Sequence, residues 1–170
     1  MMCGITGTPG TGKSSVAYEL ADRGHRVIHA ADTVHPYIVG WDEVRQTSIV
    51  DEDRWARNFQ PFDGFVEGSI AHHLPCNVVV VLRCRPDILA ERLTSRGYPA
   101  RKVRENAEAE ALDVILVEVA ERYRKEQIHE IDTTFRTVQE LADAIEMAAG
   151  GRLAPSYGSI DWSAYLVGML

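Results

Sequence analysis

The chain has 170 residues, 45% hydrophobic and 25% charged, which suits one compact domain and excludes a disordered or fibrous polymer. Its 18 basic and 25 acidic residues leave a net charge of −7, which excludes bulk nucleic-acid binding because phosphate neutralisation needs clustered Lys and Arg. The longest wholly apolar stretch, Val78 to Leu82, is too short to cross a bilayer, so no membrane partner is expected.

Met2 to Thr6 is short and apolar and ends at glycine, as a strand would. Lys13 to Arg23 predicts a helix, with Val16, Ala17 and Leu20 on one face and Gly24 as its stop. Arg26 to His29 is a short strand. Residues 30–63 are polar, aromatic and interrupted by Pro36, Gly40 and Pro61, which predicts a small helical insert. Gly64 to Glu67 is the next strand, and Asn77 to Leu82 is a clearer one. Its unbroken valines suit a strand covered on both faces. Pro86 to Arg96 predicts a helix with proline in its first turn, closed by Gly97-Tyr98-Pro99. Lys102 to Glu126 predicts one long helix carrying Leu112, Ile115, Leu116, Val119 and Tyr123 at helical spacing. Ile128 to Asp132 is a last strand, and Val138, Leu141, Ala142 and Ile145 mark a last helix ending at Gly150-Gly151. From Arg152 the chain is a tail. Alternating strands and helices imply a three-layer α/β fold around a mainly parallel sheet.

No charged–apolar–small leader opens the chain. Cys3, Cys76 and Cys84 lack metal-ligand spacing and are expected as packed, reduced thiols, as in a cytoplasmic protein.

Gly7-Thr8-Pro9-Gly10-Thr11-Gly12-Lys13-Ser14 fits G-x-x-x-x-G-K-[ST] without mismatch, after a strand and before a helix. Its glycines let successive backbone N–H groups turn toward one anion, and the helix adds its positive end. Lys13 is expected on the β- and γ-phosphates of ATP, and the Ser14 hydroxyl on Mg²⁺. Ser15 adds a hydroxyl near the α-phosphate. A second carboxylate for magnesium is expected at Glu67, with Asp32 as the competing candidate. Arg92 and Arg96 share a helix face beside a glycine-proline break and the basic Arg101, Lys102 and Arg104, as in a segment that brings cations onto phosphates. His25, His29, His72 and His73 show no spacing that supplies a third metal ligand, and Trp41, Trp55 and Trp162 read as packing residues.

Taken together, these residues resemble the adenylate kinase isoenzyme-six family of archaea and eukaryotes. The likeness rests on the glycine-rich run, on Val50-Asp51-Glu52-Asp53-Arg54, on Val66-Glu67-Gly68 with His72, and on Val81-Leu82-Arg83-Cys84. It rests most on Leu89 to Asn106, with Arg96-Gly97-Tyr98, and on Glu110 and Asp132-Thr133-Thr134 beyond. The resemblance implies a nucleoside monophosphate kinase fold with a five-stranded parallel sheet. Residues 1–150 would form one domain, with an acceptor-binding insert at 30–53 and a lid at 95–105, followed by the 151–170 tail. The triphosphate site would comprise Gly10, Gly12, Lys13, Ser14, Ser15 and Arg96, with Arg136 near the adenine. The family implies a broad-specificity ATP:NMP phosphotransferase, with AMP as the leading acceptor and ATPase activity besides. It also implies a part in late maturation of the small ribosomal subunit through its S-eleven-type platform protein. Two alternatives remain beside it: an ATPase switch with a vestigial kinase site, and a small-metabolite kinase on the same fold. Two departures stand out. Ser69 replaces a histidine that many members carry, and the start of the insert offers only His35 for a monophosphate, with Arg45 the nearest arginine downstream.

Overall fold

The computed structural model describes residues 1–44 and 47–168. The expectation attached to Arg45 therefore lies outside the described residues. In chain order the strands are β1 (Met2–Thr6), β2 (Val27–His29), β3 (Ile38–Asp42), β4 (Thr47–Val50), β5 (Gly64–Glu67), β6 (Val78–Arg83) and β7 (Ile128–Asp132). The helices are α1 (Lys13–Asp22), α2 (Glu52–Asn58), α3 (Pro86–Ser95), α4 (Ala100–Ala111), α5 (Val114–Arg122) and α6 (Val138–Ala149).

Five strands make one parallel sheet in the order β2-β5-β1-β6-β7. In β6, Val80 and Leu82 join Val16, Leu20, Leu141 and Ile145 on one face, under α1 and α6. Val79 and Val81 join Trp55, Leu116 and Val119 on the other, under α2 and α5. The valine run shows no alternation because both faces are covered. Burying each such side chain is worth about 1.5–3 kcal/mol. Cys84, Leu89, Leu93 and Ala107 form a separate cluster between α3 and α4. All three cysteines are free and buried, and burial raises the Cys76 thiol to about 12 and the Cys84 thiol to about 11.

The sideways course of the connections reverses around β1. One connection runs to β2 and β5 and the next to β6 and β7, so the loop after β1 lies at the switch point, where open α/β sheets bind ligands.

Two sequence expectations need correction. Residues 30–63 are not purely helical: β3 and β4 pair as an antiparallel hairpin. Its β-branched Ile38, Val39, Thr47, Ile49 and Val50 favour strand, and Val39, Trp41 and Ile49 stand in solvent. Trp41 is therefore not a core residue, whereas Trp55 is buried and donates its indole N–H to Thr33 Oγ1 at 3.0 Å. The helix predicted over 102–126 is two helices, broken at Asp113, which adopts a left-handed φ of 56°. Aspartate tolerates that conformation, and its carboxylate here pairs with Arg83.

Part of the tail is docked. Ser156 bridges His129 on β7, and Glu130 N–H donates to Ser156 O at 2.8 Å. Gly158 N–H then donates to Glu130 Oε2 at 2.8 Å, and the turn Ser163–Gly168 lies against α4.

Candidate active site

The loop from Gly7 to Gly12 is shaped by three glycines at positive φ: Gly7 (144°), Gly10 (96°) and Gly12 (97°). A Cβ on Gly7 would come within 2.4 Å of Leu82 O, and one on Gly10 within 3.2 Å of Leu89 and Leu93. The backbone is thus pressed against β6 and α3 while its other side stays open.

Lys13 opens α1 and is buried. Its Nζ donates to the carbonyls of Gly7 (2.7 Å) and Thr8 (3.0 Å). Burial lowers its pKa to about 8, against the opposing pull of Glu67 and Glu110. A desolvated ammonium held by main-chain carbonyls is a cation short of an anion, and a polyphosphate fits that need. Ser14 and Ser15 follow with exposed side chains.

Three hollows adjoin along the carboxyl edge of the sheet. The central one, about 180 Å³, is lined by Gly10, Gly12, Lys13, Ser14, Ser15, Ser69, Arg96 and Tyr98. A second, about 200 Å³, shares Gly10, Gly12, Ser15 and Arg96 and adds Arg92, Thr133, Arg136, Val138 and Leu141. A third, about 270 Å³, meets the first at Ser69 and lies under the hairpin segment, between Ala30, Val34, Ser48, Val50 and Glu52. Two larger hollows, about 360 and 590 Å³, share Met1, Ala149 and Gly150 and sit at the opposite, amino-terminal edge. They contain none of the phosphate-type loop, so size does not mark the site here.

The predicted residues separate by role. Gly10, Gly12, Lys13, Ser14, Ser15 and Arg96 converge on the central hollow, and Arg136 lines the second. Arg96 ends α3 exposed, and within the described residues its guanidinium has no hydrogen bond or ion pair. Arg92 is used structurally, donating to Thr133 O at 3.1 Å and Thr134 O at 3.2 Å. Glu67 ends β5 buried, in register with Ile5 on β1, and acts electrostatically on Lys13. Its Oε1 lies 2.6 Å from His29 Nδ1, a partner that sequence spacing does not reveal. Asp32 is exposed and lines none of the three hollows.

A second buried carboxylate was missed as a site residue. Glu110, on α4, accepts from Thr8 Oγ1 at 2.5 Å, from Cys84 N–H at 3.0 Å and from Arg83 Nε at 2.7 Å. Arg83 also pairs with Asp113 and Glu130. Burial works against its charge, but the three carboxylates hold its pKa above the usual range. The available signal was a glutamate on the same helical face as Val103 and Ala107. Folding also brings Glu118 on α5 beside His72 and His73, a neighbour that sequence spacing does not reveal.

Residues 3–113 match the AAA-domain family. Over 169 residues the chain is 43% identical to the "putative adenylate kinase" of Natronomonas pharaonis, covering 98% of this chain and 100% of that one. It is 41% identical over 174 residues to the protein of the same name from Methanothermobacter thermautotrophicus, covering 99% and 100%. The chain belongs to that archaeal adenylate-kinase family. Membership extends through the tail, since both alignments run the full length of the relatives. Among solved structures, a gluconokinase from Sinorhizobium meliloti 1021 superposes with a TM-score of 0.58 at 18% identity, covering 88% of this chain and 91% of that one. A deoxyadenosine kinase from M. mycoides superposes with a TM-score of 0.58 at 12% identity, covering 89% and 99%. At those identities the likeness establishes the fold: the archaeal adenylate-kinase family member described here has the α/β architecture of P-loop kinases.

Proposed function

We propose that the chain is a broad-specificity nucleoside monophosphate kinase that passes the γ-phosphoryl group of ATP to AMP or another nucleoside monophosphate. The observation that carries this reading is a row of three hollows, two built on the glycine-rich loop and a third joined to them at Ser69. A donor nucleoside fits beside Thr133 and Arg136, phosphates fit at Lys13, and an acceptor fits beneath the hairpin. The names of the full-length relatives point the same way.

In this reading the main-chain amides of residues 10–15 and the Lys13 ammonium bind the donor phosphates. Binding exchanges the lysine's bonds to Gly7 O and Thr8 O for phosphate oxygens and restores a counter-charge to a desolvated cation. Ser14 and Glu67 would hold Mg²⁺, partly through water, and the bound ion would neutralise charge shared by the donor phosphates. An acceptor phosphate oxygen bonds the γ-phosphorus as the bond to the β–γ bridging oxygen breaks, leaving ADP on the loop, with no covalent enzyme intermediate. Arg96, unpaired within the described residues, is free to meet the charge that spreads over the transferred group. It stands in the 95–105 segment, which serves as the lid and excludes water on closing. Water admitted to the acceptor hollow in place of a monophosphate would give ATPase activity, and Ser69, which lines both hollows where many family members carry a histidine, offers no imidazole to direct it. The proposed role in small-subunit maturation, through an S-eleven-type ribosomal protein, rests on the sequence resemblance and on the −7 charge, which suits a basic client.

The test is ADP formation from ATP·Mg²⁺ with and without AMP. Strong stimulation by AMP, with ADP appearing from both nucleotides, is expected. Stimulation only by the ribosomal protein would replace this reading with the ATPase switch, and stimulation only by a sugar acid or shikimate with the metabolite kinase.

A further inference from the structure

Away from the nucleotide cleft, the turn Ala71–His73 after β5 sets two imidazoles side by side, ring centroids 4.5 Å apart. His72 Nε2 lies 2.9 Å from Glu118 Oε2 on α5. His73 Nδ1 lies 3.0 Å from Glu52 Oε2 at the start of α2. Donor atoms of His72, His73 and Glu118 all fall within 4.8 Å of one another. His72 is 1% exposed and the His73 side chain 7%, and the buried His73 Nδ1 has no aligned hydrogen-bond partner.

Two observations set this cluster apart from ordinary packed histidines. The Thr6 hydroxyl has one proton and faces both Ser69 O at 3.2 Å and His72 Nδ1 at 3.0 Å. When it donates to Ser69, His72 Nδ1–H donates to the threonine oxygen, and the Nε2 lone pair faces the Glu118 carboxylate. That is the outer hydrogen bond of a metal-ligating histidine, and a cation taken up there would replace the 2.9 Å His72–Glu118 contact, with the two atoms moving apart to receive it. The second observation is charge. Burial lowers both imidazoles to about 4, so at neutral pH each is neutral and carries one lone pair. Glu52, Asp53 and Glu118 surround them against the single guanidinium of Arg122, three negative charges to one positive, a surplus of two. Glu52 is itself raised, first by burial and then by Glu118.

We infer that His72, His73 and Glu118 form a site for one zinc-type divalent cation, with Glu52 beside His73 and the site separate from the magnesium position at Ser14 and Glu67. Mixed nitrogen and carboxylate donors select zinc or cobalt over magnesium, which takes oxygen ligands. Donors about 2.0–2.2 Å from a tetrahedral ion stand about 3.3–3.6 Å apart, so the His72–Glu118 pair opens from 2.9 Å and the wider pairs, up to 4.8 Å, close by small side-chain movements. Glu118 is half-exposed and opens the site to solvent. The ion would clamp α5 to two segments that border the cleft. One is the turn after β5, whose Ser69 lines the central hollow; the other is the start of α2, whose Glu52 lines the acceptor hollow.

The experiment uses tag-free full-length protein, stripped of metal and free of nucleotide, titrated with Co²⁺ and then Zn²⁺. Expected are one equivalent of Co²⁺ with the visible absorption of a tetrahedral site, its displacement by Zn²⁺, and no displacement by a large excess of Mg²⁺. His73→Ala and Glu118→Gln should each weaken Zn²⁺ binding by about tenfold or more, while ADP·Mg²⁺ binding shows that both variants are folded. Lys13→Ala should leave the Co²⁺ spectrum unchanged. A folded, ADP-binding protein that takes up no Co²⁺, or uptake that survives both substitutions, overturns the site.

Discussion

Lys13 makes two predictions of opposite sign. Its ammonium is desolvated, with a pKa lowered from 10.5 to about 8. Because the folded value lies below the unfolded one, the charge carries a folding cost below pH 8 that is relieved as pH rises toward 10.5. At neutral pH that cost is on the order of 3 kcal/mol. Lys13→Met should therefore keep or raise the unfolding midpoint in urea while abolishing turnover, by on the order of a thousandfold or more. Nucleotide binding moves the other way, since phosphates need the protonated amine. Calorimetric ADP·Mg²⁺ affinity should fall above pH 8 by up to about tenfold per pH unit; a flat profile from pH 7 to 9.5 would contradict the assigned role. Arg96→Ala should lower kcat more than it changes ADP affinity, because its exposed guanidinium acts on the transferred group rather than on loop occupancy. At this scale the glycine-rich loop was legible, because a phosphate cradle demands particular residue types at fixed offsets. His29 and Thr8 were not, since their roles depend on Glu67 and Glu110, which only folding brings beside them.

Among the elements, the five sheet strands and most helices could be read from apolar runs and breakers, while the two errors share a cause. Leu112, Ile115, Leu116 and Val119 keep helical spacing across Asp113, so periodicity could not register a break fixed by one backbone angle and one ion pair. The hairpin was hidden because apolar Val39, Trp41 and Ile49 face solvent while polar Ser48 takes a half-buried position, so no apolar-in, polar-out pattern marks it. The broken helix matters because α4 then delivers Glu110 to Thr8, Cys84 and Arg83. Removing one member of a buried ionic network strands its partner and typically costs about 3–5 kcal/mol. Glu110→Ala should lose that much in urea unfolding and also weaken ADP binding, since Thr8 shapes the loop. Glu110→Gln should recover much of the affinity by keeping an acceptor for Thr8, and equal loss of binding in both variants would show that the carboxylate charge, not the hydrogen bond, orders the loop.

For the whole molecule, the question is what the docked tail contributes. Its contacts end on the same network: Gly158 and Ser159 donate to Glu130, Glu130 pairs with Arg83, and Arg83 with Glu110. Among the described residues, none after 151 lines any of the three hollows. Cutting the chain after Gly151 should therefore leave the binding surfaces whole but expose Glu130 and loosen its hold on Arg83. The two hydrogen bonds to the Glu130 carboxylate, at about 1.5–3 kcal/mol each, are the main part of the loss, reduced because water reaches the carboxylate once the tail is gone. A truncated chain should melt earlier yet still form ADP from ATP and AMP below its midpoint. Unchanged melting would mean that the Ser156 bridge and the turn after it are held no better than solvent holds them. Loss of turnover in a fully folded truncation would instead make the Glu130–Arg83–Glu110 chain a mechanical link between the tail and the phosphate loop.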